Sequence, residues 1–156
     1  MKSRQITVII LMAEDDDDDC LLAREALAES RLMSELRIVR DGEELMDYLY
    51  HRGQYAQKHS SPRPGLILLD LNMPKKDGRE ALKEIKADPH LKQIPVVVLT
   101  TSKAEEDIFN TYNLGANSFI IKPPTFTALV EMMKTLGQYW FEVTELPLRS
   151  VRNEDE

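Results

Sequence analysis

A chain of 156 residues with 42% hydrophobic content suits one core, with little left over for a second. A formal net charge of −7 excludes a nucleic-acid partner, because affinity for a phosphate backbone rests on clustered Lys and Arg. The lone Cys20 cannot form an internal disulfide, and His51, His59 and His90 show no metal-ligand spacing, which fits a reducing cytoplasm.

The apolar run at 6–13 reads as a buried strand, with Thr7, Val8, Ile9 and Ile10 supplying β-branched residues. Lys2 and Arg4 ahead of it mimic a signal peptide, but the run meets Glu14 and Asp15 to Asp19, not small residues before a cleavage site, so export is rejected. No apolar run approaches the roughly 18 residues that span a bilayer, so no membrane partner is expected. Leu22, Ala23, Ala26 and Leu27 then mark one face of a helix ending near Arg31. Asp16 to Asp19 read as its solvated, dipole-favoured start.

Residues 36–39 form a short strand, and Asp41-Gly42 turns into a helix with Leu45, Tyr48 and Leu49 on one face. The polar stretch 52–64 is a long surface loop with room for an extra helical turn. Leu66, Ile67, Leu68 and Leu69 are consecutive aliphatics without alternation, the pattern of a strand buried on both faces. Asp70 stands at its carboxyl end, and Pro74 cannot extend the ladder. Asp77-Gly78 opens a helix carrying Ala81, Leu82 and Ile85, which Asp88-Pro89 stops.

A further strand covers 96–99 and ends at Thr100-Thr101-Ser102. The helix at 104–113 has Ile108, Phe109 and Tyr112 as its apolar side, with Leu114-Gly115 as the stop. Residues 118–121 are the last strand, ending at Lys122-Pro123-Pro124. Leu129, Val130, Met133, Leu136, Tyr139, Trp140 and Val143 define a longer last helix that Pro147 ends. The tail at 147–156 is expected to be disordered.

Strands alternating with helices give an α/β fold, a doubly wound five-stranded parallel sheet with right-handed crossovers. In such sheets ligands bind at the carboxyl ends of the strands. Glu14, Asp15, Asp70, Thr100 and Lys122 all follow strands, so carboxylates, a hydroxyl and an ammonium converge on one crevice. Crowded carboxylates raise their own pKa values or recruit a hard cation, and Mg²⁺ suits a few carboxylates, a carbonyl and retained waters. A Lys and a Thr beside that cation suit the oxygens of a phosphoryl group in transit to a carboxylate.

Leu11-Met12-Ala13-Glu14-Asp15-Asp16, Leu68-Leu69-Asp70-Leu71-Asn72-Met73-Pro74, Val98-Leu99-Thr100 and Phe119-Ile120-Ile121-Lys122-Pro123 together resemble the receiver domain of two-component response regulators. The resemblance implies a (βα)5 flavodoxin-like fold with strand order 2-1-3-4-5 and one domain over 5–146. It makes Asp70 the phosphoacceptor, Glu14 and Asp15 the acidic pair at Mg²⁺, and the Asn72 carbonyl a further ligand. Thr100 and Lys122 then contact the phosphoryl group, Phe119 becomes an aromatic switch that follows Thr100, and the Lys122-Pro123 peptide is cis. Three departures stand out. Thr101 narrows access where the family often has Ala or Gly, Pro124 stiffens the entry to the last helix, and Asp16 competes with Asp15 for register.

The last helix carries more apolar surface than a terminal helix usually buries. Either the 52–64 loop covers it, or Leu136, Tyr139, Trp140, Phe141 and Val143 form an isologous homodimer. The chain is similar to the small regulators paired with bacterial phytochrome kinases. A sensor histidine kinase is thus the expected donor and an unidentified protein the target, since the residues beyond the last helix leave no room for an output domain. Two rivals have distinct marks. A phosphorylation-independent receiver needs no complete acid, Thr and Lys set. A Mg²⁺ phosphatase of the haloacid-dehalogenase type needs a second acid where this chain has Asn72.

Overall fold

The structure, a computed structural model, describes residues 8–30, 34–57, 60–101 and 105–137. Strands β1 (Val8–Ala13), β2 (Ser34–Val39), β3 (Leu66–Leu69), β4 (Val96–Thr100) and β5 (Ser118–Ile121) alternate with helices α1 (Asp17–Ser30), α2 (Gly42–Tyr50), α3 (Gly78–Ala87), α4 (Glu105–Asn113) and α5 (Phe126–Gly137). All strand pairs are parallel, in the order β2-β1-β3-β4-β5. The expected topology is therefore the observed one.

Alternation along each strand divides the core into two layers. Leu11, Ala13, Ile67, Leu69, Val96 and Val98 face α2 and α3, where Leu45, Met46, Ala81, Leu82 and Ile85 complete a buried cluster. Ile10, Met12, Leu66, Leu68, Val97 and Leu99 point the other way, onto Ala23, Ala26 and Leu27 of α1 and Val130 and Met133 of α5. Each of these strand side chains is at most 3% exposed, which is why the central strands read as unbroken apolar runs.

Local signals set the helix ends. Asp77 caps α3 by accepting from the Arg79 and Glu80 backbones, and Glu80 reaches back to complete a capping box. Asp41 caps α2 by accepting from Glu44 N at 2.8 Å. Gly115, at φ +106°, ends α4 in the left-handed region where a Cβ would be strained.

One expectation fails here. Tyr112 is 48% exposed instead of lying on the buried side of α4, where Thr111 is buried in its place. The edge position of β5 explains this, because Tyr112 Oη accepts the unpaired strand-edge N–H of Phe119 at 3.0 Å. The 52–64 loop packs on α2, where Tyr48 Oη donates to Pro62 O at 2.8 Å and the Tyr48 and Tyr55 rings meet at 5.1 Å, while the apolar residues at 139–143 that it is expected to cover lie outside the described residues. It also holds a short 3₁₀ turn, Gly53–Tyr55.

Candidate functional site

The register of the sheet brings the strand-end residues together. Ala13 pairs with Leu69, so Glu14 and Asp70 leave the sheet side by side, and Asp70 N donates to Ala13 O at 3.1 Å. Thr100 pairs with Ile121, and Lys122 N donates to Thr100 O at 2.8 Å, which fixes where the lysine enters. Glu14 is 1% exposed, Asp70 7% and Thr100 0%, whereas Asp15 is exposed. The helix after β3 can come close only because residue 78 is glycine: a Cβ there would sit 2.2 Å from the Asp70 carbonyl oxygen.

Lys122 reaches across the strand ends. Its Nζ lies 2.6 Å from Glu14 Oε1, 2.8 Å from Asp19 Oδ2 and 3.6 Å from Asp70 Oδ2. Glu14, Asp15 and Asp70 each place a carboxylate oxygen within 4.8 Å of the others, so one small cation can touch all three. Burial pushes the Glu14 carboxyl up to about 7, and the Asp70 charge adds to that rise. The Lys122 ammonium offsets only part of it. Burial alone would lower the Lys122 pKa, but its bonds to Asp19 and Glu14 outweigh it and the net shift is upward. The acids thus exceed what one lysine neutralises, and a hard divalent cation fits the oxygen-only donor set.

Glu14, Asp15, Asp70, Thr100 and Lys122 therefore meet at one edge, as the strand ends imply. The register question at the aspartate run has a clear answer. Asp16 Oδ1 accepts from Asp19 N at 3.0 Å and so caps α1, leaving Asp15 in the acidic group. Asn72 is exposed beyond β3, with its N–H 3.4 Å from Asp70 Oδ1. Phe119 is half-buried against the α2 and α3 layer. The Lys122–Pro123 peptide is trans, not cis, in keeping with the ordinary preference of an X–Pro bond. Leu136 packs on the α1 and α5 layer of its own chain, while Tyr139, Trp140, Phe141 and Val143 lie outside the described residues.

Asp19 is the residue that sequence reasoning missed. It reads as one of several solvated acids, yet it holds Lys122. The helical period carried the signal, because Asp19 stands four residues before buried Ala23 and seven before buried Ala26, at the head of the inward stripe. Asp17 turns outward instead and pairs with Arg40.

The response regulator receiver domain model matches residues 10–134. The chain belongs to the response regulator receiver family. It is 48% identical to response regulator Rcp1 of Synechocystis sp. over 126 residues, covering 81% of this chain and 84% of that protein. The receiver also superposes on the phosphorylated cyanobacterial phytochrome response regulator RcpA with a TM-score of 0.84 at 48% identity, covering 91% of this chain and 99% of that one. A Mn²⁺-bound form of Rcp1 matches with a TM-score of 0.81 at 46% identity over 90% and 99% of the two chains. A divalent-metal site thus has precedent in a relative, and the acidic group here has the composition for one. Among the described residues no helix of this receiver is long and apolar enough to cross a membrane.

Proposed function

We propose that this receiver accepts a phosphoryl group on Asp70 from a sensor histidine kinase and signals through protein contacts. The observation that carries the reading is the meeting of Asp70 with Glu14, Asp15 and Lys122 at one sheet edge. In the transfer, the donor's phosphorus–nitrogen bond breaks as a bond forms between phosphorus and an Asp70 carboxylate oxygen, leaving a dianionic acyl phosphate. Lys122 and the Thr100 hydroxyl would bind its free oxygens. Glu14, Asp15, Asp70 and the Asn72 carbonyl would hold Mg²⁺, which supplies neutralisation of the charge gathered during in-line transfer. Movement of Thr100 would draw Phe119 with it and change the surface built from α4, β5 and α5.

The likeness to the phytochrome response regulator RcpA supports a phytochrome-type kinase as the donor. We read the domain as 5–146, with the tail at 147–156 outside the described residues, and the protein as cytoplasmic, in line with its single cysteine. The homodimer reading rests on the sequence pattern alone, in which the large apolar residues Tyr139, Trp140, Phe141 and Val143, outside the described residues, follow Leu136. No turnover of an external substrate is proposed, because Asn72 stands where a phosphatase of the haloacid-dehalogenase type places its second acid.

The test is intact-protein mass after incubation with acetyl phosphate, with and without Mg²⁺, on the wild type and Asp70→Asn. A Mg²⁺-dependent gain of one phosphoryl group, absent from the variant, is expected. A gain that survives Asp70→Asn would place the acceptor elsewhere. Sedimentation of the same samples tests the dimer.

A further inference from the structure

Receiver chemistry on Asp70 gives no role to Asp19, yet Asp19 makes one of the two short contacts to the lysine. Lys122 Nζ sits at 2.6 Å from Glu14 and 2.8 Å from Asp19, and only at 3.6 Å from Asp70, the residue it is to serve. The ammonium is therefore drawn toward the α1 side of the crevice. Its two close partners differ in accessibility: the Glu14 side chain is 1% exposed and that of Asp19 is 35% exposed. Releasing Glu14 would strand a buried charge, whereas releasing Asp19 returns a carboxylate to water in the first turn of α1, where the helix dipole favours an anion. Asp19 and Lys122 also border a hollow of about 70 Å³ together with Leu22, Pro123 and Phe126, so the freed carboxylate has space beside it.

We infer that Asp19 is a positioning residue that competes with the phosphoryl group for Lys122. It holds the ammonium off Asp70 in the resting receiver and gives it up when a dianion forms on Asp70. The exchange also unties the first turn of α1 from the end of β5, while Asp17 keeps its pair with Arg40 and Cys20 Sγ its contact with Glu14 O. This rests on the receiver reading above, and goes beyond it by setting the occupancy of the site from α1.

Calorimetry on the full chain separates the two readings, using Mg²⁺ alone and then beryllofluoride, a phosphoryl mimic, at saturating Mg²⁺. Asp19→Asn removes both the competitor and one like charge, so beryllofluoride binding should tighten on the order of threefold to tenfold. Mg²⁺ binding should hold or weaken slightly, because one negative charge has gone. Asp18→Asn removes the same charge from the same turn without touching Lys122 and should leave beryllofluoride binding as in the wild type. A loosened fold would weaken both ligands. Beryllofluoride binding that is unchanged or weaker in Asp19→Asn, or equally tightened in Asp18→Asn, would overturn the assignment. Failure of the wild type to bind beryllofluoride would instead bring down the receiver-site reading on which it rests.

Discussion

Lys122 Nζ lies 2.6 Å from Glu14 Oε1, a contact between residues 108 apart in sequence that ties the end of β5 to the end of β1. Neither residue can be left alone cheaply. Glu14 is buried, and Lys122 also faces Asp19 and Asp70, so removing the ammonium leaves three carboxylates facing one another. Lys122→Ala is expected to lower metal-free stability by about 3 kcal/mol, the low end for a broken buried pair because Asp19 remains in reach of water. Saturating Mg²⁺ should restore much of that loss. Urea denaturation in chelator and in Mg²⁺ checks both halves, and an equal loss in the two buffers would show that the acids do not share one cation.

Gly78 sets how closely α3 approaches the end of β3. A Cβ there would lie 2.2 Å from Asp70 O and 2.8 Å from Leu71 Cα, both backbone atoms with no side-chain freedom to yield. Gly78→Ala is expected to cost about 2–3 kcal/mol, the upper part of the range for overpacking, and to slow Mg²⁺-dependent labelling of the receiver. Thermal melting together with intact mass measures the two effects. A variant as stable as the wild type would mean that the loop after β3 shifts freely.

The Tyr112 hydroxyl closes the open edge of β5 by accepting the Phe119 N–H at 3.0 Å. Tyr112 is half-exposed, so water can replace the hydroxyl, and Tyr112→Phe should cost no more than about 1 kcal/mol. The amide of Phe119 should nonetheless exchange with solvent markedly faster, since its protection rests on that one partner. Residue-resolved hydrogen exchange reads this directly. Unchanged protection at Phe119 would separate α4 from the β5 edge.

Much of this was legible because the fold's strongest signals are local. Leu66 to Leu69 and Val96 to Leu99 are apolar without alternation because helices cover both faces of the sheet, and the residue after each run had to emerge at the site edge. Asp41, Asp77 and Gly115 announce helix ends through backbone chemistry that needs no tertiary context. Tyr112 misled because its hydroxyl answers a strand edge supplied from seven residues on, which outweighs the helical stripe. Asp19 was hidden by its neighbours: in a run of identical acids only the helical phase distinguishes the one that faces Lys122. The 52–64 loop is held to α2 by the Tyr48 hydroxyl on the Pro62 carbonyl, a pairing that no periodicity encodes.

That loop contact also gives the receiver a pH dependence in the alkaline range. Tyr48 is 2% exposed, and burial raises its hydroxyl from 10.0 to about 12 while the O–H donates to Pro62 O. The fold therefore favours the protonated phenol: its contribution is complete below the ordinary tyrosine range and is lost as pH rises through about 12. Between those limits the unfolded chain holds fewer protons than the folded one, so stability falls with rising pH, by about 2–3 kcal/mol for a shift of this size. Tyr48→Phe has no such group. It should be less stable than the wild type by about 1 kcal/mol at neutral pH, where it has lost a hydrogen bond, and more stable at the alkaline end. Tyr50 and Tyr55 also ionise late in both proteins, and because desolvation and Glu44 outrank Tyr48 among the causes for Tyr55, the difference between the two stability curves reports mainly Tyr48. Denaturant titrations across that range should show the curves crossing. Parallel curves would mean that the 52–64 loop opens before Tyr48 ionises, and that the loop is not held to α2 through this hydroxyl.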